Sequence, residues 1–213
     1  MIAVIKGDII NSRLIINQDK WLIPLEDLLN EWGKNPEIWE VIWGDSFQLE
    51  IENPEESLYK ALLIKALIKS VSVNNNNERM SKIDVRISIG IGEKTYTGRR
   101  VSESNGSAYI YAGEKFSLLK KENITLAIKS KWAEFDEEIN LYLKLAGVFM
   151  DKWTKLSAEL AGIVLKDRII TQEEVGRLIG IKQSGVSGRW NRANIDEILA
   201  IDNLFRRKIK KLL

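Results

Sequence analysis

The chain lacks cysteine and histidine altogether. The first absence excludes disulfides and thiolate metal sites. The second removes the usual general base near neutral pH and the commonest ligand of zinc, copper and iron. A metal held by this chain is therefore a hard cation bound through oxygen, Mg²⁺ or Mn²⁺. No uncharged apolar run is long enough to span a bilayer. The opening MIAVIKGD is too short and too soon charged for a signal peptide, and it reads as a first strand. Together these absences suit a cytoplasmic protein with no membrane partner.

The 213 residues allow one or two domains, and 45% hydrophobic residues suffice for a real core. The formal net charge is only +2, but it is unevenly spread. From Lys166 onward there are eleven Lys or Arg against six Asp or Glu, a net +5, which leaves about −3 for the rest. A basic C-terminal module beside a mildly acidic one is what an attached DNA-binding unit shows. For the tail FRRKIKKLL alone, an ordinary solvated helix end explains the charge equally well.

Residues 171–193, TQEEVGRLIGIKQSGVSGRWNRA, carry the most specific signal. Thr171 is an N-cap, Glu173 and Glu174 sit in a first helical turn, and Gly180 supplies a tight turn before a second helix. Val175, Ile179, Ile181, Val186 and Trp190 fall where a helix-turn-helix buries its inner face. Gln183, Ser184, Ser187, Arg189 and Asn191 are then expected to face outward, flanked by Lys182 and Arg192. Amides, hydroxyls and guanidinium groups read base edges and hold phosphates. Arg206, Arg207, Lys208, Lys210 and Lys211 of the tail are expected to add phosphate contacts. The competing reading is a small helical bundle for protein contacts, and Gly185 and Gly188 weaken the second helix.

Upstream, a strand at 2–6 ends at Gly7-Asp8 and a helix is expected at 18–32. IWEVIWGDSFQLEI reads as a hairpin with a two-residue Gly44-Asp45 loop. That pairing places Ile38, Ile42, Phe47, Leu49 and Ile51 on a core face, with Glu40 the exception, and Trp39, Val41, Trp43, Ser46, Gln48 and Glu50 on the other. Asn53-Pro54-Glu55-Glu56 starts a helix that runs to about 72. The NNNN run at 74–77 reads as a polar loop. DVRISIGI at 84–91 alternates, sending Val85, Ile87, Ile89 and Ile91 to the core and Arg86 and Ser88 to the open face. A helix near 106–121 and a strand at 124–129 follow. The expected class is α+β: a ferredoxin-like or palm βαββαβ sheet with helices on one face, then an all-α helix-turn-helix module. A further strand is allowed near 94–101.

A helix from 134 to 167 is expected to carry Tyr142, Ala146, Phe149, Trp153, Leu156, Leu160 and Ile163 at heptad spacing. That seam suits either a homodimer or packing against its own chain. The expected division is a palm-like domain at 1–132, a connecting helical segment at 133–167 and the DNA-binding module at 168–213.

Asp8 follows the first strand and Asp45 tips the hairpin beside it. Two neighbouring carboxylates repel unless a cation or proton lies between them. With oxygen ligands alone, Mg²⁺ or Mn²⁺ is the natural guest, and it commonly brings a phosphate. The backbone after Asp8, from Ile9 through Asn11 and Ser12, suits a triphosphate, with Arg13 adding charge. Each aspartate taken singly is also an ordinary turn or cap residue.

GDIINSR, WGDSFQ, RISIGIGE and SNGSAYIYAGEKF, with the terminal helix-turn-helix, resemble the bacterial SatD family over nearly the whole chain. More distantly, the N-terminal part is similar to the catalytic domain of class III nucleotide cyclases and the GGDEF palm. That resemblance implies that Asp8 and Asp45 hold two metal ions on a nucleoside triphosphate. The cyclase motif that follows is not kept. With Gly106 in its first slot, the asparagine slot holds Ile110 and the arginine slot Glu114. An isoleucine cannot hydrogen-bond, and a glutamate repels developing negative charge. Three functions stay open: a DNA-binding regulator with a metal–nucleotide-binding palm, a nucleotidyltransferase or cyclase-type enzyme whose helical module serves protein interaction, and an adaptor with a degenerate palm.

Overall fold

An apolar run opening 2–10 and alternating apolar residues along 84–92 build two adjacent inner strands of a five-stranded sheet. The computed structural model describes residues 1–42, 44–72 and 83–213. The strands are β1 (Ile2–Ile10), β2 (Trp39–Ile42), β3 (Ser46–Ile51), β4 (Asp84–Gly92) and β5 (Leu126–Lys129). Their order is β2-β3-β1-β4-β5, antiparallel throughout except for the parallel β4–β5 pair. The fold is α+β, with eight α-helices among the described residues. The NNNN run and Trp43 lie outside those residues.

On one face, Ala3, Ile5 and Ile9 oppose Ile91, Ile89 and Val85, and all six are buried. Helices α1 (Asp19–Asn30) and α2 (Ser57–Ser70) complete this core with Trp21, Leu25, Leu62 and Ile64. The other face carries Val4, Lys6 and Asp8 of β1 and Arg86, Ser88 and Gly90 of β4. Helix α3 (Ser107–Glu122) packs here, which corrects the expectation of helices on one face only. A parallel β4–β5 pair needs a crossover helix, and the small residues of β4 make room for it. A Cβ on Gly90 would lie 2.1 Å from the Ala108 carbonyl oxygen. The Ser88 hydroxyl donates to the Ala112 carbonyl at 2.8 Å.

The hairpin departs from its expected pairing by one residue. Ile42 pairs with Ser46, one position off the pairing that a two-residue loop requires, and Gly44 lies at φ +81°. One residue of register moves a whole strand to the other face. Trp39 therefore joins Leu49 in the core, Val41 joins Phe47, and Glu40 joins Gln48 on the α3 side. No full strand forms at 94–101, only an isolated bridge between Tyr96 and Asn105. This segment is pinned over the outer sheet. Gln48 donates to the Val101 carbonyl at 2.8 Å, and Lys94 pairs with Glu50 at 2.8 Å.

The predicted 134–167 helix is two helices, α4 (Ala133–Met150) and α5 (Lys155–Lys166). The Thr154 hydroxyl accepts the Ser157 N–H at 3.1 Å and starts α5 afresh. This cap overrides the 4-3 spacing, so the seam from Tyr142 to Ile163 does not lie on one rod. Asn140 of α4 brackets Ile128 of β5, accepting its N–H and donating to its carbonyl. Helix α5 lies on α2 and meets α7 (Gln183–Ala193). Helices α6 (Gln172–Ile179) and α8 (Ile195–Leu212) complete the C-terminal unit. One apolar core runs from Ala3 to Ile209, across the expected limits at 132 and 167. Among the described residues, no helix is long and apolar enough to cross a membrane.

Candidate cation site and nucleic-acid interface

Strand β1 continues past Asp8 to Ile10, so Asp8 lies within the ladder and not at its end. It stands opposite Ser46 of β3 and Arg86 of β4. The hairpin tip closes on it, as the Ile9 N–H donates to the Asp45 carbonyl at 2.9 Å. The Ser12 hydroxyl, from a 3-10 turn at Ser12–Leu14, donates to Asp45 Oδ2 at 2.9 Å. Asn11 begins that turn with φ 62°, in the left-handed region that asparagine tolerates.

Asp8 is chemically unusual. Its Oδ2 accepts from Arg86 Nη1 at 3.1 Å. Its Oδ1 is buried and has no hydrogen-bond partner among the described residues. Leaving a buried acceptor unpaired costs about 1–3 kcal/mol or more. Burial pushes the Asp8 carboxyl above its ordinary range. Arg86 pulls it back, the Asp45 charge pushes it further up, and Lys120 opposes that push. A hard cation on Oδ1 would relieve both the orphaned oxygen and the repulsion from Asp45, so the residues present fit Mg²⁺ or Mn²⁺. The described residues contain no group of three or more acidic ligands. Such a cation would complete its shell with water or ligand phosphates, as Mg²⁺ commonly does.

The four expected phosphate contacts divide. Ile9 spends its N–H on Asp45 and buries its side chain, and Ser12 spends its hydroxyl on Asp45, so both position the second carboxylate. Asn11 and Arg13 are exposed beside them. Arg86 and Lys120 were missed. Alternation along β4 puts Arg86 on the Asp8 face, which was a usable signal. Lys120 had none, because α3 was expected elsewhere. Of the two residues expected at cyclase-motif positions, Ile110 is half exposed and Glu114 pairs with Lys129 at 2.6 Å.

The C-terminal unit is built from local signals. Thr171 and Glu174 form a reciprocal capping box, with N–H to oxygen distances of 3.2 and 2.8 Å. Gly180 ends α6 at φ +69°. A Cβ on Gly176 would stand 2.7 Å from the Ile181 carbonyl, so a small residue lets the turn fold back. Val175 and Val186 are buried between the helices. Helix α7 exposes Gln183, Ser184, Asn191 and Arg192, with Lys182 exposed at its cap. Ser187 and Arg189, expected outside with them, are half-buried. Trp153 is buried and donates to the Ala193 carbonyl at 3.0 Å, fixing the end of α7 to the α4–α5 junction.

The basic tail is partly engaged within the fold, contrary to expectation. Arg206 pairs with the buried Asp202 at 2.7 Å, Arg168 pairs with the same carboxylate, and both guanidiniums lie over Tyr59 of α2. Lys208 pairs with Glu138 at 2.6 Å. Arg207, Lys210 and Lys211 stay exposed.

Comparison of the chain with protein-family models, curated proteins and solved structures found no match.

Proposed function

We propose that this protein is a cytoplasmic DNA-binding regulator whose palm-like N-terminal half holds a metal–nucleotide ligand. The observation that carries the reading is α7. It follows a glycine turn, packs its apolar side inward, and presents amide, hydroxyl and guanidinium groups to solvent. Such a helix suits the major groove, with residues near its N-terminus reaching base edges. The resemblance to the SatD family accords with this division. Selection from a random duplex pool, followed by gel-shift titration, tests it. Failure to enrich any duplex, or binding unaffected by Gln183→Ala, refutes it.

A second reading is supported by the orphaned Asp8 oxygen beside Asp45, namely a nucleotidyltransferase or cyclase-type enzyme. Bound Mg²⁺ would supply Lewis-acid stabilisation of phosphate charge. The chain's own part would be to position Asp45 through Ser12 and Ile9, and to counter negative charge through Arg86 and Lys120. Incubation with labelled nucleoside triphosphates and Mn²⁺ separates the readings. A melting temperature raised without turnover supports the binding role, and turnover lost in Asp45→Ala supports the enzyme.

A further inference from the structure

Helix α4 is apolar on two sides. Its inner side buries Phe135, Ile139, Leu143, Ala146 and Met150. Its outer side leaves Leu141, Leu145 and Val148 exposed by 55%, 56% and 61%. Single exposed leucines are ordinary, but these recur at i, i+4 and i+7 and form one stripe. A 4-3 stripe is the spacing with which one helix seats on another. The inner face accounts for α4's place in the fold, and the outer stripe contributes nothing to it.

The charges at its ends say what fits. The exposed Glu134 and Glu137 lie at the N-terminal end of α4, and the exposed Lys152 lies just past its C-terminal end. Glu137 and Lys152 take no ion pair among the described residues. Turned end for end about a two-fold axis near residues 144 and 145, the stripe meets itself. Leu141 then faces Val148, and Glu137 of each copy faces Lys152 of the other. Lys144 lies at the stripe's edge, where its stem can cover the leucines with its ammonium in water. An apolar stripe with acid at one end and base at the other is self-complementary in an isologous pair.

We infer that the outer face of α4 is a homodimer interface, with a second copy of this chain as its occupant. It uses Leu141, Leu145 and Val148, not the seam through Tyr142 and Trp153. It stands independently of the proposed function. An 18-residue helix is about 27 Å long. A single helix pair of that length buries less than the standard ~800 Å² per partner, so the dimer dissociates on dilution.

Sedimentation velocity from about 1 to about 100 μM brackets such an interface. The wild type should pass from monomer to dimer with rising concentration. Leu145→Glu should stay monomeric throughout with an unchanged melting curve, since the side chain is exposed. Glu137→Lys should raise the dissociation constant about tenfold through its two symmetric contacts, and adding Lys152→Glu should restore it. A wild type monomeric at every concentration overturns the proposal. So does a dimer indifferent to Leu145→Glu, or a charge swap that fails to restore association. The charge-swap arm stays informative if Leu145→Glu misfolds.

Discussion

If α7 enters a major groove, its salt dependence follows from its cations. Lys182 and Arg192 are exposed, and Arg189 is half-buried on the helix flank. Neutralising about three phosphates gives a slope near −2.7 in log affinity against log salt. Raising salt from about 50 to about 200 mM should therefore weaken binding about 40-fold. Arg192→Ala should weaken binding evenly across sequences and flatten the slope by about 0.9. Gln183→Ala should leave the slope alone. It should cost about 1–3 kcal/mol at the preferred site and almost nothing elsewhere. Fluorescence anisotropy on a selected and a scrambled duplex, at four salt concentrations, reads all of this. A slope unchanged in Arg192→Ala, or Gln183→Ala weakening both duplexes equally, would remove α7 from the groove.

Other outcomes follow from the N-terminal half. Asp84 accepts from both Lys65 and Lys69, at 2.9 and 3.0 Å, and both lysines are fully buried. Asp84→Asn removes the counter-charge of Lys69, whose other acceptor among the described residues is the Asp151 carbonyl, at a cost of about 3–5 kcal/mol, or roughly 6–20 °C in Tm; a circular-dichroism melt within 2 °C of wild type would contradict this. The raised Asp8 pKa means the folded state holds that proton more tightly than the unfolded chain. Its contribution to stability is thus present below the ordinary value near 4 and lost as pH rises through the raised one. Cation binding runs the other way, since it needs the ionised carboxylate. Stabilisation by Mn²⁺ should weaken as acidification protonates Asp8, and stabilisation independent of pH down to full protonation of the carboxylates would refute the placement on Asp8. Cyclic-nucleotide formation should be absent or very weak with Ile110 and Glu114 in place, which chromatography of overnight reactions checks.

The elements most legible in the sequence were those written in local chemistry. Thr171, Glu174 and Gly180 marked the ends of α6, and strict alternation gave the buried side of β4. Asp8 at the first strand and Asp45 at the hairpin tip were expected to be neighbours because a βαββ order sets that strand beside the hairpin, and β1 does pair with β3. What failed depended on register or long-range contact. A one-residue shift in the hairpin exchanged the faces of Trp39 and Glu40, and composition around Gly44 does not reveal that register. The position of α3 depended on the bare surface at Gly90, which as a sequence letter reads only as a weak point in a strand. The break at Thr154 was hidden by apolar residues at continuous spacing, although those residues serve different faces. Arg206 and Lys208 look like free cations until the distant Tyr59 and Glu138 are brought to them, and the nearby Asp202 is drawn into the core.

The same contacts constrain how the two halves can communicate. Arg168 and Arg206 join a buried carboxylate of α8 to a ring on α2, and Trp153 joins the α4–α5 junction to the end of α7. Lys65 and Lys69 tie that junction, through Asp151, to Asp84 at the start of β4. Two residues further along β4, Arg86 pairs with Asp8. The C-terminal helices are thus not a bead on a flexible tether, because their core is continuous with the sheet. A ligand at Asp8 that altered DNA binding would have to favour one of two packings of this shared core, since a ligand shifts an equilibrium only by its differential affinity for the two states. Asp84→Asn would then disturb the response to ligand as well as stability, whereas Glu137→Lys, on the outer face of α4, would leave that response within one protomer intact.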